Sequence, residues 1–439
     1  MRVNKKSGTT SKQTTYEGGK ARKISAAEQL RRVVCASMLF EDSFYESGED
    51  AAKRIQELSK EVSASDVQDI IRQAKFNGKL RHTPLYLAAN AWDKVDRQLL
   101  AEIFTRPDDI TDYLALYWKD GKKPLKRRMR GAIKDALNKF DAYQLAKYKG
   151  SKTDAVKLID LFNLVHPRPS SPEQSILFNS VVNQSLEAPD TWEVALSAGA
   201  DKKETFTRLM KEKKLGGMAF FKNLRNMLEA GVPEKDILYY MSELKTDRLM
   251  PMNLFAAASI MEEHSVRIAG AIEQKLLDMV KTLPRLKGKT AIVLDTSGSM
   301  FGAMVGKSKF ERIHYAVALA TIIQGMCDDT QLIFFNTKGY NIKGKTGLAM
   351  AKEAAKHQGG TDHAAGLSLV DKDVDRVIML TDEQSSSNDR FNFKNAYMIN
   401  LAGYQNSIAY KPWVSISGFS EKVLDFISEY ERLNLKELD

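Results

Sequence analysis

Cysteine is nearly missing from the 439 residues: Cys35 and Cys327 stand one in each half, both within apolar patterns read as helix. Two thiols so placed exclude a disulfide-stapled scaffold and a cysteine-built metal site, and are expected to be reduced core residues. Histidine is sparse as well, with six copies at no zinc-ligand spacing, Gly-x-Ser-x-Gly does not occur, and no phosphate loop is expected. Zinc hydrolysis and serine-nucleophile chemistry therefore lose their usual carriers. No apolar run approaches the ~20 residues of a membrane span. The amino terminus is polar and basic rather than leader-like, so a cytoplasmic chain without a membrane partner is expected.

What is present is an apolar fraction of 43%, enough for a folded chain, at a length that implies two or three domains. The formal net charge of +10 is uneven. From Leu283 onward 19 Lys and Arg face 18 Asp and Glu, which leaves 47 basic and 38 acidic residues before that point. A basic excess confined to one region makes an anionic partner worth considering, with nucleic acid first.

Residues 1–22 are Lys, Gly, Ser and Thr with little apolar content and are expected to form a disordered basic arm. Residues 23–282 then read as amphipathic helices joined by short connections. Ser25-Ala26-Ala27-Glu28 is a capping-box pattern, and Ser65-Asp66-Val67-Gln68 repeats it. Further helical faces occupy about Thr83 to Val95, Ile110 to Trp118, Leu125 to Leu137, Met218 to Glu229 and Ile237 to Leu244. Nothing between Ser25 and Lys281 reads as a sheet. Stacked helix pairs are the expected architecture, although no fixed-period repeat is visible.

The pattern changes at 283–439. Pro284 and Gly288 mark a linker, and Thr290 opens an alternation of short β-branched runs with helices: a helix at 310–326, strands at 331–335, 376–380, 396–401 and 414–417, and a closing helix at 421–430. This is the signature of a doubly wound parallel sheet. Its first strand ends in Leu294-Asp295-Thr296-Ser297-Gly298-Ser299, three oxygen-bearing side chains at alternating positions. Gly359-Gly360-Thr361-Asp362 adds a hydroxyl on a glycine-rich turn, and the run from Arg376 ends in Thr381-Asp382. Loops at the carboxyl ends of neighbouring parallel strands share a crevice. Hard, small oxygen donors suit a divalent cation, Mg²⁺ above all, with Asp295, Ser297, Ser299, Thr361 and Asp382 as its ligands. Plain helix capping by Asp295 and the serines would not require Thr361 and Asp382. Leu294-Asp295-Thr296 also resembles the phosphorylated-aspartate stretch of haloacid-dehalogenase-like phosphatases, but that family places a second Asp, the general acid, where Ser297 stands, so no catalytic residue is assigned and a non-enzyme is expected.

The Asp-x-Ser-x-Ser, Thr, Asp order resembles the metal-ion-dependent adhesion site of von Willebrand factor A domains. The helical region resembles the TROVE module of the Ro autoantigen family. The likeness rests on Leu39 to Gly48, Leu80-Arg81-His82-Thr83-Pro84-Leu85, Arg106-Pro107-Asp108-Asp109-Ile110 leading to Tyr117-Trp118, Ala136 to Phe140, and Lys147-Tyr148-Lys149. It continues in Leu164-Val165-His166-Pro167-Arg168-Pro169 and in Leu215-Gly216-Gly217-Met218 followed by Asn223-Leu224-Arg225-Asn226. The segment Met250 to Phe255 departs from the family's more aromatic and basic version. The resemblance implies a multidomain α plus α/β chain: a ring of HEAT-like α-helical repeats over 23–282, closed by the A domain at 283–439. It implies small noncoding Y-like RNA and single-stranded ends of misfolded RNA as ligands, in RNA quality control. A monomer is implied, with a 3′ exonuclease such as polynucleotide phosphorylase as a partner.

RNA contact is expected between Lys119 and Arg168. Lys122, Lys123, Lys126, Arg127, Arg128 and Arg130 cross a helix start, where backbone N–H groups also favour phosphate. For Lys122 and Lys123 a merely solvated face is as good a reading. Arg127 and Arg130, three apart, share a face and can each fork onto a phosphate. Lys147, Lys149 and Lys152 flank Tyr148, which either stacks on a base or packs inside. His166, beside Arg168, is either a helix cap or an RNA contact, and the resemblance favours contact for Lys147 and His166. Arg225 either faces RNA or bridges helices. The competing overall reading is a metal-dependent adhesion scaffold whose helices bind protein.

Overall fold

The computed structural model describes residues 14–22, 24–148, 155–245, 249–302, 310–408, 410, 412–418 and 420–436. They fall into two compact units, one of Lys53–Gly216 with Glu229–Val232, the other of Met1–Ala52, Gly217–Leu228 and Pro233–Asp439. The boundary expected at 283 is thus a change from helix to sheet and not a gap between packed bodies. Helices Pro251–Met261 and Val266–Lys281 pack on helix Arg312–Met326 of the α/β part. A Cβ at Gly325 would come within 2.2 Å of Val280 Cγ1, which shows how closely the two helices approach.

The first unit is helical, and no strand occurs between 25 and 281 among the described residues. Two of the quoted motif segments meet in it. Arg81 bonds Asp108, and its Nη2 lies 2.7 Å from Asp112 Oδ2, while buried Lys75 lies 3.0 Å from buried Asp109. Asp109 Oδ2 also accepts from Thr105 N and Oγ1 and from Arg106 N, so one oxygen of this buried carboxylate gathers these donors. The cap expected at Ser65 is two residues early: Ser63 is the N-cap of helix Ala64–Arg72 and accepts from Asp66 N. Both serines precede the same apolar stripe, and only backbone geometry distinguishes them. Ser25 caps helix Ala26–Cys35 with Glu28 as its reciprocal partner, as expected.

The second unit is organised by a six-stranded sheet in the order β3-β2-β1-β4-β5-β6, with β1 Leu286–Asp295, β2 Cys327–Phe335, β3 Gly339–Ile342, β4 Arg376–Thr381, β5 Ala396–Asn400 and β6 Val414–Ser417. All neighbours are parallel except β2 and β3. β4 and β5 are buried at every position, which is why they read as continuous apolar runs instead of alternating ones. The antiparallel edge strand β3 was not foreseen: Gly-Tyr-Asn-Ile carries little apolar signal, and its pairing follows from a tight connection to β2.

The arm expected to be disordered to Arg22 is structured from Thr14. Thr15 Oγ1 donates to Ser385 O at 2.8 Å, Arg22 N to Ser407 O at 2.8 Å, and Thr15 and Ala21 are buried. Low apolar content misled because this segment is held by backbone hydrogen bonds and not by a hydrophobic face. Cys35 and Cys327 are both buried and free, and burial pushes the Cys35 thiol up to about 12.

Candidate functional site

Strand register places the two carboxylates. β1 pairs with β4 so that Leu294 faces Leu380, which sets Asp295 level with Thr381 and leaves Asp382 one residue beyond the strand end. Thr381 Oγ1 donates to Asp295 Oδ2 at 2.6 Å, and Ser297 N donates to Asp295 Oδ1 at 2.8 Å. The 359–361 turn is tied to the first loop by Gly298 N donating to Gly359 O at 2.8 Å, and to the third by Ser386 N donating to Thr361 O at 2.9 Å. The three loops read from sequence as one crevice are therefore joined by hydrogen bonds through this turn. Asp295, Ser297, Ser299, Thr361 and Asp382 are 0, 1, 2, 3 and 0% exposed, which removes all five from bulk water.

That burial is costly for charge. Desolvation, and for Asp295 the neighbouring Asp382, raise both carboxyls well above the ordinary carboxylate range. Hydrogen bonds from Ser299 and Gln384 N–H and the Arg312 guanidinium pull Asp382 back, and the Glu17 charge pushes it up. Asp382 Oδ1 accepts from Gln384 N at 3.1 Å, but Oδ2 has no hydrogen-bond partner among the described residues. Ser297 Oγ and Ser299 Oγ stand 3.2 Å apart. An orphaned buried carboxylate oxygen beside paired hydroxyls is a donor set that a small hard cation would satisfy. No group of three or more His, Cys, Asp or Glu that could hold a metal occurs among the described residues, so such a site depends on hydroxyl ligands. Both oxygens of Asp295 accept hydrogen bonds, which leaves it poorly disposed to act as a nucleophile.

The nucleic-acid candidates sit in the helical unit, except Arg225, which falls in the other. Arg127 opens helix Arg127–Leu137, is exposed, and makes no ion pair among the described residues; the first turn carries no acidic residue. A helix start without acids and rich in cations is electrostatically unfavourable unless an anion approaches it. Arg130 places one donor on Leu164 O at 2.8 Å, capping the neighbouring helix end, and Arg128 donates to Val95 O at 2.8 Å in the connection before helix Arg97–Ile103. Lys122, Lys123 and Lys126 lie over Trp118, Tyr117 and Trp92 at 5.7, 4.3 and 5.2 Å. Trp118, Lys122, Lys123, Pro124, Val156 and Asn163 are among the lining of a cavity of about 540 Å³.

Lys147 is half-buried, 3.7 Å from Glu193 and over the rings of Tyr143 and Tyr148. Burial pulls its ammonium down, but Glu193 and the tyrosines outweigh this and hold it raised. Tyr148 is half-buried beneath Arg106 at 5.1 Å, whereas Tyr143, which sequence reasoning passed over, is 51% exposed. His166 is the C-cap of helix Leu158–Val165 in the left-handed conformation (φ 47°), with its ring exposed. Arg168 and Arg225 are exposed. Lys149 and Lys152 lie outside the described residues.

Comparison with known proteins places this architecture. Residues 180–278 match the TROVE domain model. The structure superposes on the crystal structure of the Deinococcus radiodurans RO (RSR) protein with a TM-score of 0.59 at 14% identity, covering 93% of this chain and 99% of that one. Part of this chain is similar to a TROVE domain, and its fold is Ro-like. No curated protein sequence matches it. Helical repeats followed by a von Willebrand factor A-like α/β domain, as read from the residues, are the Ro-like arrangement.

Within the A-like part of this fold, several residues escaped sequence reasoning. Thr381, adjacent to an assigned ligand, could have been found from strand register. Arg312, 5% exposed and 5.9 Å over the Tyr404 ring, carries no motif, nor does the buried Arg32–Glu383 pair, whose members are 351 residues apart.

Proposed function

We propose that this chain is a Ro-like RNA-binding protein that takes small noncoding Y-like RNA and single-stranded ends of misfolded RNA, and acts in RNA quality control in the cytoplasm without catalysis of its own. It works as a monomer, and a 3′ exonuclease of the polynucleotide phosphorylase kind is its partner enzyme. The observation that carries the reading is the acid-free, exposed basic start of helix Arg127–Leu137, beside an aromatic-interleaved cavity, in a chain part of which is similar to a TROVE domain. Phosphate neutralisation supplies the affinity there, and rings such as Tyr143 and Trp118 offer stacking faces. Asp295, Ser297, Ser299, Thr361 and Asp382 would hold Mg²⁺, whose open position captures a carboxylate from a protein partner. No helix among the described residues is long and apolar enough to cross a membrane.

Filter binding of a structured RNA with a single-stranded 3′ end, across a salt series, tests the first half. Affinity that falls steeply with salt supports RNA binding. Affinity that is absent, or indifferent to salt, favours the adhesion-scaffold alternative. Mn²⁺ uptake lost on Asp295→Ala tests the second half.

A further inference from the structure

The cavity of the helical unit is walled by a turn and a helix. Helix Pro107–Tyr117 ends at Trp118, and the chain then folds back: Gly121, at φ +112°, donates its N–H to Trp118 O at 2.9 Å. The indole Nε1 of Trp118 donates to Lys123 O at 2.8 Å, and the Tyr117 hydroxyl to Pro124 O at 3.3 Å, which ties both rings to the turn. Trp118 is half-buried and lines the cavity with its only polar group already engaged, so what it has left to offer a ligand is the face of its ring. The second wall is helix Leu158–Val165, whose Asp160 and Asn163, three residues apart, share a helix face and line the same cavity.

This mixed lining selects its occupant. Lys122 and Lys123 are exposed, make no ion pair among the described residues, and rest over the rings of Trp118 and Tyr117. An ammonium group over a ring can exchange that contact for a phosphate while a base takes the ring. Asp160 argues against a bare phosphate site, because its carboxylate repels one. Its Oδ2 accepts from Lys157 N at 2.8 Å, whereas neither Oδ1 nor the Asn163 amide has a hydrogen bond among the described residues. A carboxylate beside a side-chain amide suits a ligand edge that presents N–H donors next to an acceptor. The volume of about 540 Å³ is that of a cleft for a small molecule or a single nucleotide.

We infer that this cavity takes one unstacked guanine of a single-stranded RNA: Trp118 stacks on the base, Lys122 and Lys123 hold the flanking phosphates, and Asp160 with Asn163 reads the base edge. This deepens the RNA-binding reading and rests on it. Guanine sets N1–H and its N2 amino group side by side on the Watson–Crick edge, with O6 next to them. The carboxylate accepts from the first two, and the Asn163 amide donates to O6. Adenine and cytosine offer that edge an amino donor beside a bare ring nitrogen, whose lone pair faces the carboxylate, and uracil has one N–H between two carbonyls. The cavity thus adds a base preference to phosphate contacts that carry no sequence information.

Binding of short oligouridines with a central guanine, inosine, adenine, cytosine or uracil to the full chain, read by fluorescence anisotropy, is the test. The guanine oligomer is expected to bind at least about tenfold tighter than the all-uridine one, the size of a good paired base contact. Inosine, which lacks the N2 amino group, should lose most of that preference. Asp160→Asn keeps an acceptor for Lys157 N and so preserves the helix start; it should erase the guanine preference without weakening the uridine oligomer. Trp118→Leu should weaken every oligomer about tenfold. Lys123→Ala should weaken all of them alike and lower the salt slope by about one. Salt-dependent binding that is equal for every central base, or a guanine preference that survives Asp160→Asn, overturns the pocket and leaves RNA binding standing. A chain that binds neither these oligomers nor structured RNA overturns the RNA reading, and the pocket with it. GMP that binds as tightly as the guanine oligomer overturns the RNA strand as the source of the base.

Discussion

Removing the Arg32 guanidinium should loosen the loop that carries Asp382. Arg32 lies on the first helix, 4% exposed, and donates to Glu383 Oε2 and, at 3.0 Å, to Ser415 Oγ; Glu383 is 0% exposed and also accepts from Ser407 Oγ. Deleting one member of a buried ion pair costs about 3–5 kcal/mol, because the other charge stays buried without its partner. The Ser407 and Ser415 hydroxyls remain on Glu383, so the lower end, about 3 kcal/mol, is expected for Arg32→Ala. Hydrogen exchange of β4 and β5 amides reports the opening of this unit alone, and about 3 kcal/mol corresponds to roughly hundredfold faster exchange. The double variant Arg32→Met with Glu383→Gln should recover most of the stability, since it leaves no buried charge. Exchange accelerated less than about threefold in Arg32→Ala would refute the argument, because the pair would then contribute no more than an exposed ion pair does.

Charge reversal at Arg127 or Lys147 should weaken RNA binding and lower the salt slope by about one for each phosphate no longer neutralised, whereas Asp295→Ala should leave RNA affinity intact; an equal drop in both would show that the labour is divided wrongly. The raised carboxyls of Asp295 and Asp382 set a pH dependence. Their folded values exceed their unfolded ones, so the folded state binds more protons between about pH 4 and neutrality, and metal-free stability from this pair is present at low pH and lost as pH rises. The melting-temperature advantage of Asp382→Asn over the metal-free wild type should therefore grow across that window, and added Mg²⁺ should shrink it. A pH-independent difference would contradict the assigned burial. Ser63→Ala should cost about 1 kcal/mol by urea denaturation while Ser65→Ala costs little, which separates the true cap from its neighbour.

Much of the α/β part was legible because parallel strands buried on both faces must be apolar throughout. The runs ending at Asp295 and Thr381 announce themselves by composition, and the polar residues that close them mark the strand ends. Helix capping was legible where one serine precedes the apolar stripe, as at Ser25, and ambiguous where two do, as at Ser63 and Ser65. The basic helix start at 126–130 was visible as a charge run. Which of its arginines are diverted to carbonyls, as Arg128 and Arg130 are, depends on helices that only packing brings alongside.

The order of carboxylates and hydroxyls in the A-like part, and the concentration of positive charge before residue 283, are properties of the linear chain, since side-chain chemistry and spacing carry them. Tertiary structure alone decided that residues 14–20 lie on the Asp382 loop, that Arg32 meets Glu383, and that Tyr45 orients Glu17. These arrangements depend on backbone hydrogen bonds and single charged groups, two of them between residues hundreds of positions apart. They leave no periodicity in the sequence, and only the folded chain brings them together.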